Sequence, residues 1–220
     1  MRLSDGGGPF GFDIHLALLF DDIVAVYRPS AIVETGSYLG DTTAYLANAY
    51  PSLPVITCDV DPSHAGYTAA RLRHADNVAV HHADSPTVVA EASREHAPAV
   101  YFLDAHWGEQ WPLARELAEL ANGPGPAVAV IHDFDIGYPG FGYDVYDGVP
   151  CGPGILTGVP GLPDVYFTSN PEATYPLPCL QTGRRTGVGV IPIGLPAEPL
   201  AGIPRLRQHS RTATTSAVTS

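Results

Sequence analysis

Five short apolar runs, separated by four stretches that suit helices, constrain this chain more than any other feature. The runs are AIVET (31–35), PVITCDV (54–60), NVAVHHA (77–83), AVYFLDA (99–105) and AVAVIHD (127–133), rich in β-branched residues. Between them lie DTTAYLANAY (41–50), PSHAGYTAARLRHA (62–75), SPTVVAEASREHA (85–97) and WPLARELAELANG (111–123). Near-continuous apolar runs suit strands buried on both faces, and parallel strands need a crossover between them. The pattern therefore predicts an α/β fold with a doubly wound, mostly parallel sheet. Residues 12–28, FDIHLALLFDDIVAVYR, predict a helix ahead of the first strand, ended by Pro29.

Beyond residue 134 the rhythm changes. Residues 135–163 are crowded with Gly and Pro and carry Tyr138, Phe141, Tyr143 and Tyr146, which predicts a long loop placed to line or cover a site. DVYFTSN (164–170) and TGVGVIPIG (186–194) predict two more strands with no helix between them, so an antiparallel pair at the sheet edge, seven strands in all. One domain over 1–194 is expected, with a polar, flexible tail over 195–220.

Charge and cysteine usage exclude several classes. The net charge is −12 and all 11 basic residues are Arg, so a nucleic-acid footprint, a lysine base and a Schiff base are excluded. Cys58, Cys151 and Cys179 have no CxxC spacing and read as reduced thiols of a cytoplasmic protein. The N-terminal residues lack the basic region of a secretory signal, and no run has the roughly 18 apolar residues of a membrane span. The expected partner is a small molecule, with neither nucleic acid nor membrane, and a homodimer is left open.

In an open parallel sheet, ligands bind beyond the carboxyl ends of the strands. Here those ends are Glu34, Asp59, Asp84, Asp104 and the pair His132/Asp133, acidic five times over. Any one of them could be the N-cap of the next helix; five in succession point to a ligand. The first strand runs into VETGSYLGDTT, where Gly36 and Gly40 bracket a turn into a helix, letting backbone and helix N-terminus approach a ligand. Asp59 follows about twenty residues on, where a nucleoside-binding fold places the acid that meets ribose hydroxyls. The loop lacks G-x-G-x-x-G, having Tyr38 where the second glycine of a dinucleotide site would stand, and Glu34 suits a ligand with a cationic amino group.

The motif order resembles the class I S-adenosylmethionine-dependent methyltransferases over roughly residues 12–194. The E-x-G-x-Y-x-G-x-T pattern of Glu34, Gly36, Tyr38, Gly40 and Thr42 is similar to the cofactor loop of catechol-type and macrocin-type metal-dependent O-methyltransferases. The resemblance implies a Rossmann-like fold and a cofactor site of Glu34, Gly36, Ser37, Tyr38, Gly40, Thr42, Asp59, Asp84, Ser85 and Asp104. Asp59 would hold the ribose, and Asp84 with Ser85 the adenine. It also implies a divalent cation, Mg2+ or Mn2+, at Asp104, His132 and Asp133, and an acceptor lined by Trp107, Tyr138, Phe141 and Tyr143.

The chain departs from those families in two places. Where catechol-type enzymes carry a lysine base, this chain has Trp107, and at the acidic position of macrocin-type enzymes it has His106. A neutral imidazole is well matched to a hydroxyl proton near pH 7, so His106 and Asp104 are the expected catalytic pair. His132 stands where the families have Asp, Glu or Asn; imidazole is a poor ligand for Mg2+ and a better one for Mn2+, Fe2+ or Zn2+. The expected activity is O-methyl transfer to a small hydroxylated metabolite, as in natural-product pathways. The alternatives are a cofactor-binding module that no longer transfers, or a metal-dependent hydroxylase or hydrolase on the same acidic strand ends.

Overall fold

The computed structural model describes residues 8–105, 111–173 and 185–211. Helix α1 (Ile14–Tyr27) leads into β1 (Ala31–Thr35), α2 (Asp41–Ala49), β2 (Val55–Asp59), α3 (Pro62–Arg71) and β3 (Val78–His82). Then come α4 (Ser85–Glu95), β4 (Ala99–Leu103), α5 (Leu113–Asn122) and β5 (Ala127–Ile131). A short α6 (Pro153–Thr157) precedes β6 (Val165–Ser169), β7 (Gly189–Ile193), α7 (Glu198–Ala201) and β8 (Leu206–Ser210). The helix and strand starts follow local chemistry. Asp13 caps α1 by accepting the N–H groups of His15 at 2.9 Å and Leu16 at 3.1 Å. Asp61 caps α3 in the same way, with Pro62 preset in the first turn.

The main sheet has the order β8-β6-β7-β5-β4-β1-β2-β3. Strands β1 to β5 are mutually parallel, and β7 runs antiparallel to both β5 and β6. Each of β1, β4, β5 and β7 is buried along its whole length, so successive residues feed opposite cores. Val33, Tyr101, Ala129 and Ile191 face α4 and α5, while Ile32, Phe102, Val130 and Val190 face α1, α2 and α7. The doubly wound sheet and its antiparallel pair are as the sequence pattern predicts.

The tail differs from expectation. Residues 195–211 are ordered: Leu200, Ile203 and Leu206 are buried, and β8 pairs antiparallel with β6, making the sheet eight-stranded rather than seven-stranded. His209 of β8 stacks on Tyr166 with centroids 5.1 Å apart and bonds Thr168. The strand was hidden because RLRQHS is mostly polar, as an edge strand with one wet face can be. Among the described residues no helix is long and apolar enough to cross a membrane.

Candidate active-site crevice

The chain order reverses between β1 and β4, the place where open α/β sheets bind ligands. Gly36, just past β1, has φ +81°, and a Cβ there would lie 2.8 Å from the carbonyl oxygen of Asp104. Glycine is therefore required for the first loop to press against the end of β4. The loop then turns through Tyr38 at φ 45° and Gly40 at φ +73° before α2 begins.

Asp59 braces this loop. Its Oδ2 accepts the backbone N–H of Tyr38 at 2.8 Å, and its Oδ1 accepts that of Asp61 at 2.9 Å. A carboxylate has about four lone-pair sites, so acceptor capacity is left for two ligand hydroxyls. Glu34 lies beneath the loop, 1% exposed, with Oε2 accepting the hydroxyls of Thr43 at 2.5 Å and Thr57 at 2.6 Å. Burial pushes its carboxyl up to about 8, against the pull of the two hydroxyls and with smaller upward pushes from Asp104 and Asp59. At neutral pH Glu34 is then mostly neutral, and its role is to tie β1, β2 and α2 together. Among the described residues the Oγ of buried Ser37 has no hydrogen-bond partner, and the hydroxyl oxygen of Thr42 accepts the N–H of Phe10 at 2.9 Å. Thr42 thus holds the segment before α1 across the start of α2.

At the third strand end, Asp84 sits at the N-cap of α4 without capping it. Its carboxylate instead takes Arg115 of α5, with Nη1 at 2.9 Å. Ser85 is buried beside it. A solvent-open groove of about 480 Å3 between α4 and α5 has Asp84 and Arg115 in its lining.

At the fourth and fifth strand ends the structure gathers Asp104, His132 and Asp133. One ligand atom from each lies within 4.8 Å of the others. His132 Nδ1 is 2.8 Å from Asp104 Oδ1 and 3.6 Å from Asp133 Oδ2, and His132 Nε2 is 2.9 Å from the hydroxyl of Thr186. His132 and Asp133 are buried, and Asp133 adopts φ 49°, a left-handed conformation that aspartate tolerates better than most residues. Donor atoms bound to one divalent ion at about 2.1 Å lie about 3 to 3.5 Å apart when adjacent. The observed spacings bracket that range, so two carboxylates and an imidazole fit a cation with small adjustments.

The loop over the site is tied down at several points. The N–H of Asp144 donates to the carbonyl of Asp133 at 3.0 Å, and that of Cys151 to Asp144 at 2.8 Å. Tyr146 stacks on Trp111 with centroids 5.0 Å apart, and the guanidinium of Arg185 lies 4.7 Å over Phe141, which meets Tyr138 edge-on. Tyr138 and Tyr143 are exposed. His106 and Trp107 lie outside the described residues. Sequence reasoning missed Thr186, Arg115, Trp111 and the Thr43/Thr57 pair. Thr186, Arg115, Trp111 and Thr57 have partners 23 to 54 residues away, and Thr43 meets Glu34 across the turn after β1, so no local pattern signals them.

Five parallel strands flanked by a reversed β7 form the Rossmann-like fold seen in S-adenosylmethionine-dependent methyltransferases. The chain is similar to the O-methyltransferase TomG from Streptomyces achromogenes, involved in tomaymycin synthesis and solved with S-adenosylmethionine. The TM-score is 0.54 at 20% identity, covering 81% of this chain and 78% of that one. It is also similar to precorrin 8W decarboxylase of Methanobacterium thermoautotrophicum, with TM-score 0.50, 18% identity, and coverage of 89% and 96%. No protein-family model matches the chain, and no curated protein sequence matches it. At these identities the likeness establishes the fold.

Proposed function

We propose that this chain is an S-adenosylmethionine-dependent O-methyltransferase acting on a hydroxyl of a small metabolite, assisted by a divalent cation. The observation that carries the reading is the convergence of Asp104, His132 and Asp133 at the end of the crevice that begins with the Gly36–Gly40 loop and Asp59. Asp59 would receive the ribose hydroxyls, and Asp84 with Ser85 would flank the adenine. Asp104, His132 and Asp133 would hold the cation, whose chemistry is to acidify and orient an acceptor hydroxyl. His106, two residues past Asp104, would take the proton. The Trp111–Tyr146 stack and the loop above Asp133 would wall the acceptor and limit water. No covalent intermediate would be needed: the residues of the crevice would contribute by aligning an oxygen nucleophile with the methyl group that the cofactor supplies.

Calorimetry with S-adenosylhomocysteine tests the cofactor, and absence of binding would overturn the reading. A panel of phenolic and alcoholic acceptors then tests transfer. Expected is a methylated product that His106→Ala lowers on the order of 100-fold or more while S-adenosylhomocysteine binding stays. Cofactor binding without transfer to any acceptor would favour the non-catalytic module instead.

A further inference from the structure

His132 is held through both ring nitrogens, and the two partners differ in kind. Nδ1 faces the carboxylates of Asp104 and Asp133, at 2.8 and 3.6 Å, while Nε2 points away from them to the Thr186 hydroxyl at 2.9 Å. We propose that Thr186 is a positioning residue: it engages Nε2 so that Nδ1 is the atom offered, with the two carboxylates, to a divalent cation. The inference rests on the proposed cation site, but concerns a residue that the fold resemblance does not supply.

Thr186 is built to hold its place. It is 8% exposed, its N–H reaches Asp13 Oδ2 at 3.4 Å, and residues Arg185–Thr186 form a short parallel ladder with Phe141–Gly142. The imidazole is hemmed in as well, with the Phe102 ring 5.6 Å away and its own carbonyl accepting from the Cys151 thiol at 3.7 Å. Ring rotation to present Nε2 would break the Thr186 bond inside a buried site.

A hydroxyl at this place does what a carbonyl could not. Without an ion, neutral His132 can give Nδ1–H to Asp104 while Nε2 accepts the Thr186 hydroxyl proton. With an ion on Nδ1, the ring is the Nε2–H tautomer and the Thr186 oxygen accepts. Between these two arrangements the ring proton would move from Nδ1 to Nε2, and the threonine hydroxyl would reverse from donor to acceptor. A partner on the far nitrogen of a ligating histidine fixes tautomer and orientation, and its loss commonly costs 10- to 100-fold in metal affinity.

The test compares wild type, Thr186→Val, Thr186→Ser and Asp133→Asn as full chains. Mn2+ affinity is read from the free-ion paramagnetic resonance signal, and His132 ring nitrogen shifts are read by NMR with Zn2+. Expected are about 10- to 100-fold weaker Mn2+ binding in Thr186→Val, recovery in Thr186→Ser, and a Zn2+-bound Nε2–H tautomer that Thr186→Val no longer holds cleanly. Thr186→Val binding as tightly as wild type, with Asp133→Asn weakened, would overturn the Thr186 role while leaving the cation site standing. No Mn2+ binding by wild type would overturn both.

Discussion

Glu34 illustrates how burial resets the meaning of a motif residue. In the sequence it is an acid beside a cofactor loop, and an ionised carboxylate there suits a cationic ligand. The structure buries it under two threonine hydroxyls and raises its carboxyl to about 8 from an ordinary 4.5. A raised folded-state value means that the native chain holds a proton which the unfolded chain has released. Stability from this group is therefore full below about 4.5, falls as pH rises, and is lost above about 8. The loss is on the order of a few kcal/mol. Glu34→Gln mimics the neutral form, so its stability should stay flatter between pH 6 and 8.5 and exceed wild type at the upper end. Urea denaturation at four pH values checks this; parallel curves for the two proteins would show Glu34 charged throughout.

At the scale of elements, the β1–α2 turn decides whether there is a crevice at all. Gly36 at φ +81° packs its Cα against the backbone of Asp104 and Ala105, where a side chain would intrude to 2.8 Å. Gly36→Ala must pay for a left-handed alanine, about 1 kcal/mol, and for moving the loop away from β4. We expect a loss of about 2 to 3 kcal/mol in stability and at least 10-fold weaker S-adenosylhomocysteine binding, measured by denaturation and calorimetry. The sequence made this turn legible, since glycine spacing after an apolar run has one physical reading. It also made the strands β1 to β7 legible, because each carries a run of β-branched and apolar residues, even β3, which stays partly exposed at the sheet edge. β8 was not legible: Arg207 and Gln208, on opposite faces of the strand, are both exposed, and what makes it a strand is the free edge of β6, a partner that no local pattern names. Thr186 was hidden for the same reason, standing 54 residues from His132.

For the whole molecule, the crevice is assembled from the ends of five parallel strands, so a ligand lying along it would tie together segments that otherwise meet only through the sheet. Ligand binding to the native state alone adds about 2.7 kcal/mol at a concentration 100 times the dissociation constant. For a chain of this size that corresponds to roughly 5 to 10 °C in Tm. Asp59 is the residue through which this coupling should be most visible, because it joins the loop after β1 to the end of β2 through the N–H groups of Tyr38 and Asp61. Asp59→Ala removes both the ligand contact and this brace, whereas Asp59→Asn keeps a carbonyl oxygen for Tyr38 but puts an NH2, which cannot accept, in place of the oxygen that takes the Asp61 N–H, and removes the charge. If the carboxylate receives the ribose, Asp59→Asn should weaken S-adenosylhomocysteine binding about 10- to 100-fold, the worth of hydrogen bonds to a charged acceptor. Its unliganded Tm should fall less than that of Asp59→Ala, which loses both accepted bonds as well as the ligand contact. Thermal unfolding of the three proteins with and without S-adenosylhomocysteine separates these effects, and a ligand-induced shift in Asp59→Asn equal to that of wild type would remove Asp59 from the cofactor site.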